Sequence, residues 1–181
     1  MNICIVGLGL VGGTYALALR DNPKIKKITA IDIDLKTISF ALEKGIIDKG
    51  SSTPKDLLGE ADIVIISLYP KLIVNFVKEN IDFFKENSII TDAAGVKCEI
   101  MKEILQLPLK ADFIFGHPMA GREKIGLEHA DKNIFKNANY ILTPNVNNKA
   151  ENISILKEII ISMGFKNVTE ITAENHDEII S

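Results

Sequence analysis

Two short stretches hold residues whose types and spacing suit chemistry. The first is GLGLVG, residues 7–12, a G-x-G-x-x-G. Gly7 allows a tight turn, Gly9 lets backbone approach a pyrophosphate, and Gly12 lets a helix pack closely on a strand. The apolar run before it, Asn2–Val6, reads as a strand, and 11–20 reads as a helix. In that context the helix N-terminus offers free N–H groups and a partial positive charge to phosphates. Gly7, Leu8, Gly9, Leu10, Val11 and Gly12 are therefore expected to bind a dinucleotide. The partner of such a turn is an acid about 20 residues on. Asp32 stands there, at the end of a second predicted strand, able to accept from both adenosine ribose hydroxyls. Its charge repels a 2′-phosphate, and residues 33–36 (IDLK) bring one lysine and no arginine, so NAD is favoured over NADP. The competing reading is a glycine-rich turn with Asp32 as a helix cap. Ser67, Leu68, Tyr69 and Pro70 (SLYP) close another strand at its carboxyl end, where ligands of open α/β sheets lie. They are expected to border a cofactor ribose, or else to form a plain strand-to-helix turn.

The second stretch is GHPMAG, residues 116–121, which holds one of only three histidines. A strand is predicted over 113–115. Pro118 has no N–H and cannot continue a central ladder. His117 is thus expected just past a strand end, on a stiff turn. A neutral imidazole there can accept a proton near neutral pH. A capping or packing role is the alternative.

The elements that must position these residues alternate in type. Strands are predicted over Asn2–Val6, Lys27–Ile31, 61–67, 88–91, 113–115, 139–142 and 167–169. Helices are predicted over 11–20, 35–44, 72–79, 97–105 and 149–163. Strands apolar on both faces, alternating with helices, imply an α/β fold: a Rossmann-type doubly wound, mainly parallel sheet with helices on both faces. Residues 174–181 (ENHDEIIS) begin another helix with little to pack on. The division expected is a nucleotide-binding domain over 1–170 and, over 171–181, the start of a helical domain that is otherwise absent.

Composition narrows the function classes. At 181 residues the chain can build one good core, and 46% hydrophobic with 25% charged is ordinary for a globular protein. Net charge is −3 with lysines and acids interleaved, which offers nothing to nucleic acid. No apolar run reaches the roughly 20 residues of a membrane span. The first residues lack a basic segment and read directly as structure, so no signal peptide is expected and the cytoplasm is the default location. Cys4 and Cys98 are far apart and make no metal spacing; Cys4 reads as a small buried hydrophobe. No metal is expected.

Four blocks together go further. GLGLVGG (7–13), TDAAGVK (91–97), GHPMAGREKIG (116–126) and NHDEIIS (175–181) occur in an order and spacing similar to those of prephenate dehydrogenases. The likeness runs along the whole chain but covers only the nucleotide-binding half of that family's catalytic region. The resemblance implies oxidative decarboxylation of prephenate to 4-hydroxyphenylpyruvate in tyrosine biosynthesis, with hydride going to NAD and no metal. Some members use arogenate. It implies that His117 is the catalytic histidine that accepts the ring-hydroxyl proton. Glu123 matches an acid at the rim of the substrate pocket, with an exposed loop carboxylate as the alternative. His176 matches a histidine that approaches the substrate where the helical domain begins, with a helix-start residue as the alternative. Many members place a serine where this chain has Gly95, and that serine contacts the histidine and the substrate hydroxyl. Asp92 and Lys97 frame the same loop and are read as structural. His129 is read as a surface residue; Arg122 could attract a carboxylate, with a solvated arginine as the preferred reading. The family's helical domain forms a homodimer and supplies an arginine for the substrate's side-chain carboxylate; neither is expected in these residues.

Two other readings stay open. One is a different NAD-linked dehydrogenase, such as one acting on 3-hydroxy acids. Those use a lysine on the helix after the nucleotide domain, where this chain has His176 and Asp177. The other is a non-catalytic NAD-binding module that senses redox state.

Overall fold

The computed structural model describes residues 1–181. Six parallel strands form the main sheet in the order β3-β2-β1-β4-β5-β6. They are β1 (Asn2–Val6), β2 (Lys27–Ile31), β3 (Lys49–Ser51), β4 (Ile63–Ile66), β5 (Ile89–Asp92) and β6 (Asp112–Phe113). The chain winds outward from β1 to β3, then returns to β4 on the other side. The gap between β1 and β4 is thus the switch point, where open α/β sheets bind ligands at their carboxyl ends.

Alternate side chains of these strands enter different cores. Ile3, Ile5, Ile63 and Ile65 join one cluster, with α1 (Leu10–Leu19) and α6 (Ala150–Ser162). Cys4, Val6, Val64 and Ile66 join the other, with α4 (Pro70–Glu79) and α5 (Cys98–Ile104). Because successive residues point to opposite faces, a strand covered on both sides must be apolar throughout. Burial raises the Cys4 thiol to about 12, which makes it an inert core group. The doubly wound parallel sheet expected from the sequence is present. The short α2 (Leu35–Glu43) and α3 (Lys55–Leu58) complete the outer layer. The polar strand KGS (β3) and the four-residue α3 carry too little periodicity to be read from sequence.

One expectation is corrected. The predicted strand over 113–115 is two strands in two sheets. Phe113 ends β6, and Phe115 starts β7 (Phe115–Pro118), which belongs to a three-stranded sheet ordered β7-β8-β9. Its partners are β8 (Asn139–Thr143), antiparallel to β7, and β9 (Asn167–Glu170), parallel to β8. His117 therefore lies inside a strand, paired with Ile141, and not on a turn beyond one. Pro118 is tolerated because β7 is an edge strand. Met119 N donates to Asn139 O at 2.9 Å. By alternation along the ladder, the Pro118–Tyr140 pair is then a non-hydrogen-bonded one, and the missing N–H faces away from β8.

A buried ion pair holds the junction of the sheets. Asp92 and Lys97 are both fully buried. Lys97 Nζ donates to Asp92 Oδ2 at 2.5 Å and to Ala94 O at 2.7 Å. The same carboxylate accepts from Ala94 N and from Gly116 N, each at 3.1 Å. The loop from β5 to α5 is thereby folded onto the first residues of β7. Lys97→Met would leave Asp92 buried and unpaired, so a loss of about 3–5 kcal/mol is expected in urea unfolding. An unchanged midpoint would remove this pair from the scaffold.

Candidate functional site

The glycine turn between β1 and α1 is shaped by close approaches. Gly7 has φ +90°, and a Cβ there would lie 2.4 Å from Ser67 O. A Cβ on Gly12 would lie 1.8 Å from Gly7 O, so no other residue lets α1 start this close to its strand. A Cβ on Gly9 would meet nothing within 4 Å: this glycine faces open space. Gly9 caps α1 without a side-chain bond, and the first bond of the helix runs from Gly13 N to Gly9 O at 2.9 Å. The N–H groups of Leu10, Val11 and Gly12 are left free of protein partners, as an anion site needs.

These residues form one wall of a cleft of about 570 Å³. Gly9, Leu10, Val11 and Gly12 line it on one side, and Ser67, Leu68, Tyr69 and Pro70 on another. Ala93, Ala94 and Gly95 bound it from the loop after β5. Ser67 Oγ is buried in that wall with no partner in the protein. Gly7 and Leu8 stand behind the wall. Asp32 supports the turn: its Oδ2 accepts from Leu8 N at 2.7 Å and its Oδ1 from Asp34 N at 2.9 Å. A carboxylate has about four lone-pair sites, so two remain for hydroxyl donors. Free helix N–H groups, an open glycine and a half-satisfied acid at a strand end suit a dinucleotide. No group of three metal-ligating side chains converges among the residues described.

A second constellation flanks the Gly95 wall. His117 is half-buried, and its Nδ1 lies 2.9 Å from His176 Nε2. The rings meet edge-on, with centroids 5.1 Å apart. His176 is fully buried on α7 (Ala173–Ile180), and its Nδ1 lies 2.7 Å from Asp177 Oδ1. Thr172 caps this helix by accepting from Asn175 N at 3.2 Å. Asp177 also accepts from the backbone N–H of Lys97 at 2.8 Å and of Cys98 at 2.9 Å. A Cβ on Gly95 would lie 3.5 Å from His117 Cε1 and 3.7 Å from Nε2. That ring edge therefore faces the cleft wall, and Nε2 has no partner in the protein. Burial lowers the His117 pKa to about 4, helped by the positive charge of Lys97 and by His176. Burial raises the Asp177 carboxyl, but the N–H donors of Cys98 and Lys97 and its bond to His176 outweigh this and bring it to about 2. Burial and the adjoining Asp177 raise the Cys98 thiol to about 11.

Of the remaining sequence candidates, Glu123 is exposed on the loop after β7 and does not line the cleft. His176 contacts His117 through the nitrogen that would otherwise be free for a ligand. Two contributors, Lys124 and Asp177, were given no site role from the sequence, and Arg122 was read as solvated. Arg122 and Lys124 line the cleft as cations, and Arg122 lies 3.4 Å from Asp131. Asp177 anchors the histidine pair; its signal was the His-Asp dipeptide on α7, of which the sequence assigned a site role to His176 alone.

Residues 15–169 match the family model described as prephenate dehydrogenase, nucleotide-binding domain. The chain belongs to this family. It is 33% identical over 181 residues to the prephenate dehydrogenase of Bacillus subtilis (strain 168), covering 99% of this chain and 48% of that protein. It spans about half the length of the curated relatives it matches. Among solved structures, it superposes with TM-score 0.90 and 30% identity on A. aeolicus prephenate dehydrogenase in complex with hydroxyphenyl propionate and NAD+, covering 99% of this chain and 62% of that one. The Synechocystis arogenate dehydrogenase gives TM-score 0.91 at 30% identity, covering 99% of this chain and 63% of that one.

The depressed pKa of His117 has a stability consequence. An unfolded histidine titrates near 6.5, above the folded value of about 4. As pH falls through 6.5 the unfolded chain takes the proton first. The contribution of neutral His117 is full above pH 6.5 and is lost progressively down to about 4. An NMR titration should show His117 neutral at pH 6, and His117→Phe should flatten the fall of Tm between pH 6.5 and 4. A His117 midpoint near 6.5 would contradict this.

Proposed function

We propose that this chain is the NAD-binding part of a prephenate dehydrogenase, with His117 as the catalytic base. The observation that carries the reading is the free Nε2 edge of His117 beside Gly95, at the wall of the dinucleotide cleft. NAD, when bound, supplies the hydride acceptor. The chain's own part is to bind and to move one proton. The free N–H groups of Leu10, Val11 and Gly12 hold the pyrophosphate, and Asp32 holds the adenosine ribose. Ser67 Oγ and the backbone from Leu68 to Pro70 border a ribose. His117 Nε2 takes the ring-hydroxyl proton as hydride leaves the same carbon and the ring carboxylate departs as carbon dioxide. The ring becomes aromatic, and the proton returns to the phenolic oxygen. His117 is neutral at physiological pH and so has a lone pair with which to accept this proton.

In this reading Gly95 leaves room beside His117 that a side chain would otherwise fill. The substrate's side-chain carboxylate is held by the helical domain that α7 begins, and that domain makes the homodimer. Glu123 sits on the loop at the open rim. A cytoplasmic location accords with two unpaired cysteines and with the absence of any helix long and apolar enough to cross a membrane. Arogenate is the second substrate considered, because the similar Synechocystis structure is an arogenate dehydrogenase.

The deciding assay is NADH formation from prephenate and NAD, with arogenate and NADP alongside. NAD binding is expected of residues 1–181, and NADH from prephenate of a chain that also carries the helical domain. His117→Asn should lower kcat about 10²-fold or more while NAD affinity is nearly unchanged. Loss of NAD affinity instead would make His117 a cofactor or folding residue. Asp32→Ala should weaken NAD and narrow its advantage over NADP. No turnover with NAD still bound would mean the cofactor half of an enzyme or a sensor module, and the same assay on a longer parent chain separates the two.

A further inference from the structure

We propose that His176 and Asp177 form a positioning relay that fixes neutral His117 with its proton on Nδ1 and its lone pair on Nε2. This rests on the reading of His117 as the proton acceptor and deepens it.

The assignment follows one bond at a time. The N–H groups of Lys97 and Cys98 can only donate, so both oxygens of Asp177 face them as acceptors. An ionised carboxylate has no proton to give, so the 2.7 Å contact with His176 Nδ1 requires His176 to donate there. A neutral imidazole has one N–H, and its other nitrogen accepts. With His176 in the neutral form that the relay assigns to it, Nε2 is bare, and across the 2.9 Å contact His117 Nδ1 is the donor. The one N–H of His117 is thereby spent on Nδ1. Nε2 keeps its lone pair, on the ring edge that faces Gly95 and the cleft wall.

Two further features point the same way. Gly95 offers no side chain to orient His117 from the cleft side, so its orientation must come from Nδ1. His176 is fully buried, and so cannot swing out to act as a substrate ligand without opening α7 from α5. The relay also serves the charged form. Once Nε2 takes a proton, the imidazolium still donates from Nδ1 to His176, which is backed by the carboxylate of Asp177. His176 and Asp177 are thus positioning residues, acting through His117.

The test is nitrogen NMR of the whole chain with 15N-labelled histidines at pH 7. The relay predicts a protonated Nδ1 and a bare Nε2 on both His117 and His176. His176→Phe keeps an aromatic ring but removes the acceptor, so His117 should populate both tautomers. His176→Gln offers a carbonyl acceptor and should restore the Nδ1–H form. With prephenate and NAD, His176→Phe should lower kcat about 10²-fold with KM little changed, and His176→Gln should recover part of it. A proton on Nε2 of wild-type His117, or a doubly protonated His176, would overturn the relay. So would a His117 tautomer unaffected by His176→Phe. Should His176→Phe fail to fold, the wild-type and His176→Gln spectra decide. If the wild-type tautomers are as stated but a chain that also carries the helical domain does not turn prephenate over, the relay stands and the substrate assignment falls.

Discussion

The position of everything around His117 depends on one buried carboxylate. Asp92 ends the fifth strand with no access to water, and a charge there is kept only if paired and fully hydrogen-bonded. Lys97 supplies the charge, while Ala94 N and Gly116 N supply the remaining donors. These three partners lie on the loop after β5, at the start of α5 and at the start of β7. One carboxylate thus fixes where Gly95 lies on the cleft wall, how the main sheet hands over to the smaller one, and where α5 begins. The beginning of α5 then presents two N–H groups to Asp177, Asp177 seats His176, and His176 meets His117. Satisfying a buried charge and orienting a titratable ring are here one continuous network.

The cofactor side of the cleft is built on a different principle. It uses backbone: a turn compressed by the contacts of Gly7 and Gly12, helix N–H groups left without partners, and an acid that braces the turn while keeping acceptor capacity. Nothing in this wall depends on the identity of the side chains between the glycines, because the unpartnered groups are backbone N–H. The histidine side depends on named side chains at hydrogen-bond distance and tolerates little. The two halves meet at residues 93–95, which belong to both.

Membership of the prephenate dehydrogenase family rests on the nucleotide-binding domain, and about half the length of the curated relatives is represented. The described residues form a nucleotide-binding domain whose cleft wall adjoins His117. Within the proposed function, a chain with Gly95 relies on the Nδ1 side of its histidine for orientation. The room left beside Nε2 suits a substrate hydroxyl or a water.

The sequence alone determined the longer elements and the glycine turn between β1 and α1. Local spacing decides these: strands apolar on both faces must be covered on both sides, and three glycines between a strand and a helix leave the chain few other paths. Asp32 was legible because its distance along the chain from the turn is set by one βαβ unit. The register of β7 was not legible. Pro118 excludes a central strand, but only the pairing with β8 shows that His117 lies on an edge strand of a second sheet. The histidine pair was equally hidden. His117 and His176 lie 59 residues apart along the chain, and no local pattern links them. Their contact exists because α7 docks on α5 through Asp177, a long-range fit of one carboxylate to two backbone N–H groups that only the packed structure creates.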